Sequence, residues 1–203
     1  MPNWCNNQLI VCGSITWVDL FKEKITNEDG SLNILDNLYP VPEDLKGMPS
    51  MAGSIPEGDP DREQKEANLE KYGAVDWYDW CCNNWGTKWG DCDTEFYDDF
   101  ESNHHDGDLK PAMYKFETAW GPPQEGITYI SSSFKPLLFD LRFQEPGMGF
   151  CGFARIHNGS VLSEQTSDMV MDAHWIFASL EDDYVYELKN DASELDEKEV
   201  EDV

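Results

Sequence analysis

The chain is predicted to fold as an α+β sandwich: a mostly antiparallel sheet with helices on one face, a helical or loop insertion, and a disordered acidic C-terminal tail. Three observations predict it. The chain opens with a short apolar strand followed by an amphipathic helix. The stretch from 112 to 162 reads strand, helix, strand, strand, strand. Between them, proline- and glycine-rich sequence breaks every period.

Residues 7–12, Asn-Gln-Leu-Ile-Val-Cys, form an apolar run closed by Gly13 and read as a buried strand. Thr16-Trp-Val-Asp19 has the form of a capping box. Beyond it, Val18, Phe21 and Ile25 share one helical face with Trp17 and Leu20, while Asp19, Lys22, Glu23 and Lys24 are polar. Asn27-Glu-Asp-Gly30 ends that helix. Residues 31–39 fit either a helix or a strand. Five prolines between 40 and 60 then predict a long loop or a mobile segment over 40–61. Helical composition returns over 62–84, divided at Gly73.

In 112–120, Ala112, Tyr114, Phe116, Thr118 and Trp120 alternate with their neighbours, as in a half-buried strand. Gly121-Pro122-Pro123 turns the chain, and Ile127, Ile130 and Phe134 place a helix before Pro136. Phe139, Leu141 and Phe143 alternate with Asp140 and Arg142 in a second strand. Residues 150–156 form a third, and Asn158-Gly159 signals a hairpin back through 160–162. Residues 1–180 are therefore read as one domain, with 40–110 as the insertion and 181–203 as an acidic tail of 11 acids and 2 lysines.

Charge restricts function more than any motif does. Forty-one acids against 14 basic residues give −27 over 203 residues. Such a chain is repelled by bare nucleic acid and by anionic membranes. The opening residues carry no basic and apolar signal-peptide pattern, and no run approaches a membrane span. The expected setting is a reducing cytosol, with Cys5, Cys12, Cys81, Cys82, Cys92 and Cys151 as free thiols.

Catalytic and metal chemistry find little footing. There is no Gly-x-Ser-x-Gly, P-loop or His-Glu-x-x-His, and His104, His105, His157 and His174 sit in no recognisable motif. Adjacent Cys81-Cys82 does not provide the usual paired zinc spacing. No catalytic residue, metal ligand or cofactor is expected. The carboxylates of 91–108 suit a hard cation in type, but they do not follow an EF-hand pattern, and a solvated acidic loop accounts for them as well.

Four phrases remain: Pro2-Asn3-Trp4-Cys5-Asn6-Asn7, Asn84-Trp85-Gly86-Thr87-Lys88-Trp89, Thr118-Ala119-Trp120-Gly121-Pro122-Pro123, and Glu145-Pro146-Gly147-Met148-Gly149-Phe150 with Gly152. Their order and spacing resemble the YubB-like family of phage and plasmid proteins. The resemblance covers about residues 1–160. It implies a ferredoxin-like topology, a phage or plasmid origin and a host-cytoplasmic setting. It supplies no settled activity.

Charge and resemblance together suggest a non-enzymatic protein that binds and inhibits a host nucleic-acid-handling or defence protein through a basic groove, with DNA mimicry as one route. Duplex DNA carries two phosphates per base pair, so −27 matches the phosphates of roughly 13 base pairs. The expected partner-binding residues are Asp91, Asp93, Glu95, Asp98, Asp99 and Glu101, beside a tryptophan cluster that includes Trp85 and Trp89. Direct nucleic-acid or membrane binding is not expected. Plain solubility also explains the charge, and the tryptophans equally suit a core. A divalent-metal-binding small enzyme and a phage structural or assembly protein stand as the other readings.

Overall fold

The structure is a computed structural model and describes residues 3–50, 55–98, 108–168 and 182–201. Its centre is a six-stranded antiparallel sheet: β1 (Trp4–Ser14), β2 (Cys92–Phe96), β3 (Leu109–Ala119), β4 (Leu138–Glu145), β5 (Phe150–His157) and β6 (Ser160–Asp168). The spatial order is β2-β3-β1-β4-β5-β6. Helix α1 (Ile15–Ile25) connects β1 to the insertion that leads into β2, and α5 (Gln124–Ser131) connects β3 to β4. The run β1-α1-β2-β3-α5-β4, with β1 seated between β3 and β4, is the split βαβ arrangement of a ferredoxin-like fold. The meander β4-β5-β6 extends the sheet on one side.

Burial on both faces explains why β1 reads as a continuous apolar run rather than an alternating one. Cys5, Leu9 and Val11 face the main core, under α1 and α5. Ile10 and Cys12 face the opposite side. At the centre of the main core, the Phe21 ring meets Tyr114, Phe134 and Phe139 edge-on at 5.3–5.7 Å. Edge-to-face pairs of this kind add about 0.5–1.5 kcal/mol each beyond the area they bury.

Several local expectations are corrected. The Thr16 capping box does not form. Ser14 precedes α1 without a side-chain cap, and the first helical amide, Ile15 N–H, donates to the Asp108 carbonyl at 2.9 Å. The start of the 40–61 segment is pinned, because Val41 and Leu45 are buried and Glu43–Leu45 make a 3₁₀ turn. The helix after the Pro-Pro turn ends at Ser131, although Phe134 still enters the core. β6 runs to Asp168 rather than stopping near 162; at the tip before it, Asn158 and Gly159 both take positive φ, as a tight hairpin turn requires.

The largest correction concerns the tail. Asp182–Glu201 form a helix, α6, and Leu188 and Ala192 are fully buried against Ile10, Cys12, Met113 and Leu138. Helices therefore cover both faces of the sheet. The spacing Leu188, Ala192, Leu195 gives α6 a narrow apolar stripe, which its acid count hides. Arg155 ties the helix down by donating to Asp191 at 2.6 Å. Behind that contact, buried Asp140 accepts from Arg142 at 3.0 Å and lies 3.6 Å from the Arg155 guanidinium.

Helix α2 (Leu35–Leu38) leads into the insertion, which carries α3 (Arg62–Tyr72) and α4 (Trp77–Asn84), with the break at Gly73 where expected. Leu35, Trp80, Cys81 and Trp85 join the main core, so the insertion shares the hydrophobic interior of the sheet.

Candidate functional site

Of the eight residues expected to contact a partner, the six that are described fall into three groups. Asp91 and Trp85 lie inside the protein. The Asp91 carboxylate accepts from the Ile34 amide at 3.1 and 3.0 Å and from the Leu35 amide at 2.8 Å, holding the first turn of α2. Thr94 Oγ1 donates to it as well, at 2.5 Å. Trp85 is buried, and its indole N–H donates to the Tyr39 carbonyl at 2.9 Å. These two side chains build the site's foundation and are not open to a partner.

Asp93, Glu95 and Asp98 are exposed on or just after β2, an outer strand of the sheet. Asp93 takes positive φ at an irregularity in the β2–β3 pairing. Asp93, Glu95, Lys115, Glu117, Asn6 and Gln144 border a shallow groove of about 430 Å³. Lys115 sits directly across from Glu95, so this row is acidic but partly neutralised. Asp98 lies 3.8 Å from Lys22. Asp99 and Glu101, with His104, His105 and Asp106, lie outside the described residues.

Trp89 belongs to the third group, an aromatic shelf at one end of the sheet. Trp89 meets Trp4 edge-on at 6.2 Å, and Tyr78 meets Trp120 at 6.1 Å. The Lys88 ammonium lies among these rings, 4.8 Å from Trp89, 4.9 Å from Trp120 and 5.8 Å from Tyr78. Trp120 is 43% exposed and holds φ +72, a left-handed conformation rarely taken by a large side chain. Sequence reasoning missed Trp120, Tyr78 and Lys88 as a unit. The one available hint was Trp120 standing before Gly-Pro-Pro.

The shelf is where the four recurring phrases meet. The Trp120 amide donates to the Asn3 carbonyl at 2.9 Å. Thr87 Oγ1 donates to the Ala119 carbonyl at 2.8 Å. Glu145, buried, accepts from the amides of Gly147 and Met148, and Gly147 lies against the Asn3 side chain. Thus segments more than a hundred residues apart in sequence form one end of the sheet.

A second concavity, of about 640 Å³, adjoins the shelf along the chain through Gly86 and Pro122. Gly86 has φ +80, and any Cβ there would come within 2.0 Å of the Glu125 carboxylate. No substituent fits without displacing Glu125.

Five of the six cysteines hold no activated thiol. Burial pushes Cys5, Cys12 and Cys81 up to about 12, with Glu145 adding to the effect at Cys5. Desolvation also raises Cys82 and Cys92. Among the described residues, no three metal-ligating side chains gather in one place.

Comparison with known proteins agrees with the topology. Residues 96–199 match the family model described as the ferredoxin-like domain in Api92-like protein. The crystal structure of the protein api92 from Yersinia pseudotuberculosis is similar in fold, with a TM-score of 0.51 at 13% identity; the match covers 82% of this chain and 98% of that one. No curated protein matches. The matched span runs from the end of β2 through most of α6, and so includes the helix on the second face. It also includes two of the four phrases, those around Trp120 and Glu145. As the family model matches more than half of the chain, this protein belongs to the Api92-like family, through its ferredoxin-like domain.

Proposed function

We propose that the chain is a non-enzymatic, phage- or plasmid-encoded acidic protein that acts in the host cytoplasm. In this reading it binds and blocks a host nucleic-acid-handling or defence protein through that protein's basic surface. One observation carries the reading: many cations among the described residues already pair with acids or lie against aromatic rings, which leaves few of them open to a partner beside the surface acids. Lys65 is buried against Asp59 at 2.8 Å, and Lys110 donates to Asp19 at 2.6 Å. Arg142 and Arg155 are held by Asp140 and Asp191. Lys46, Arg62 and Lys71 pair with nearby acids, and Lys88 sits among aromatic rings. Exposed carboxylates such as Asp93, Glu95, Asp98, Glu164 and Asp168 then set the outward field.

Such a field speeds encounter with a basic groove and makes association steeply salt-dependent. The origin and the YubB-like kinship rest on the four phrases described above. The contact surface is assigned to Asp93, Glu95 and Asp98 with the Trp89 side of the shelf.

The test is capture from nuclease-treated host lysate, followed by assay of the captured protein's nucleic-acid binding. The expected result is a nucleic-acid-binding protein that moderate salt releases, that duplex DNA competes off, and whose DNA binding this chain inhibits. The combined change Asp93→Lys, Glu95→Lys, Asp98→Lys abolishes the inhibition. Inhibition that survives the triple reversal overturns the reading, as does a captured protein whose DNA binding is unaffected.

A further inference from the structure

The 640 Å³ cleft beside the aromatic shelf has a composition of its own. Its floor holds Phe143 and Phe150, whose rings meet edge-on at 6.2 Å. Gly152 makes room for that floor, since a Cβ there would come within 2.6 Å of the Phe143 ring. One wall is the first turn of α5, with Gln124 and Glu125; the facing wall is β6, with Glu164 and Gln165. Gln124 Nε2 donates to Glu164 Oε2 at 2.5 Å and bridges the walls. Among the described residues, no Lys, Arg or His lines the cleft.

We propose that this cleft receives an arginine side chain from an extended segment of the protein's partner. A guanidinium is planar and carries five N–H donors around its edge. It stacks on aromatic rings through its face while its edge meets carboxylates and amide carbonyls. The cleft offers that combination: the half-buried Phe150 ring, a carboxylate on each wall, and the Gln124 amide between the walls. A lysine ammonium would use the charges but has no plane to stack on a ring. Gly86 fits the same purpose, because it leaves the space that Glu125 occupies. The proposal relies on the functional reading above only for the source of the arginine.

The experiment is a two-dimensional amide NMR titration of the full chain with N-acetyl-arginine amide, N-acetyl-citrulline amide and free arginine. Saturable shifts are expected at Gly86, Glu125, Glu164 and Gln165 with the capped arginine, and none with citrulline, its uncharged isostere. Loss of the two charge-assisted contacts in Glu125→Gln/Glu164→Gln is expected to weaken binding about tenfold. Both positions are exposed, so this variant is expected to melt with the wild type. The control Asp93→Asn/Glu95→Gln removes the same charge elsewhere and is expected to bind as the wild type does. Diffuse shifts, equal shifts with citrulline, or equal weakening in both variants overturn the cleft. Free arginine binding more tightly than the capped form overturns a partner as the source. A failed lysate capture refutes the functional reading and leaves this measurement unaffected.

Discussion

Asp91 separates the acids that hold the fold from those that face solvent, and its removal is the sharpest test of that division. Its carboxylate is buried and accepts from two backbone amides at the start of α2 and from the Thr94 hydroxyl. Asp91→Ala leaves these donors without an acceptor in the interior. A hydrogen bond to a charged group contributes about 1.5–3 kcal/mol, and a stranded buried donor costs about 1–3 kcal/mol. The contributions share one group and do not add fully, so the expected loss is about 3–4 kcal/mol. For a chain of this size, each kcal/mol moves the melting temperature by about 2–4 °C, which gives a fall of roughly 6–16 °C. Asp91→Asn keeps the shape and one acceptor oxygen and should lose about 1–2 kcal/mol. Asp93→Asn, Glu95→Gln and Asp98→Asn, all exposed, should stay within about 0.5 kcal/mol of wild type. Calorimetric or circular-dichroism melts of the five variants decide the matter. If Asp91→Ala melts within about 2 °C of wild type, the anchoring role is refuted.

Three further perturbations test other joints. Deleting residues 182–203 uncovers Ile10, Cys12, Met113 and Leu138; the truncated chain should bind ANS, and Cys12, pushed up to about 12 by burial, should begin to react with a thiol reagent near neutral pH. Gly86→Ala should destabilise by about 1–3 kcal/mol, through positive φ and collision with Glu125, and Glu125→Ala should relieve part of that loss in a double-mutant melt. The Asp59 carboxyl is held below its ordinary 3.8 by the Lys65 hydrogen bond, with the Asp61 amide helping; the stability this contributes is complete above 3.8 and is lost as pH falls through the lower folded value. An NMR pH titration should therefore find Asp59 below 3.8, and Asp36 and Asp79, both raised chiefly by desolvation, above it.

Most of the sheet was legible because its strands obey simple patterns. Tyr114 and Phe116 alternate with polar neighbours, and Asn158-Gly159 specifies its own turn. What stayed hidden depends on cross-chain neighbours. Leu188, Ala192 and Leu195 form a narrow stripe in a run of acids, and the run itself gives no clue to what it covers. The second apolar face of β1 was that clue, for a continuous apolar run in an antiparallel sheet asks for a layer on each side. Asp91 looked like its neighbours because charge patterning cannot tell a buried cap from a solvated acid. The same limit applies to Glu125 and Glu164, which share a cleft only through the pairing of β5 with β6. The meeting of the four phrases at one end of the sheet was visible as a set of motifs but not as a place.

The buried acids clarify what the net charge of −27 can do. Asp76, Asp91, Asp140 and Glu145 are inside, each held by donors or cations, so they stabilise local structure and present no carboxylate to a partner. The surplus lies on the surface, where repulsion among like charges opposes folding rather than assisting it. At 0.1 M salt the Debye length is about 10 Å, so a partner senses the carboxylates it touches and little of the remainder. Total charge therefore governs solubility and the rate of encounter, while binding depends on local rows. On β2, Asp93 and Glu95 are two residues apart across the irregularity in the pairing, with Glu117 alongside and Lys115 opposing Glu95. The described part of this row is short and partly neutralised. It can fit one or two basic side chains of a groove. A second cationic contact in the Glu125–Glu164 cleft would add a distinct point of attachment, and two points fix an orientation that diffuse charge cannot.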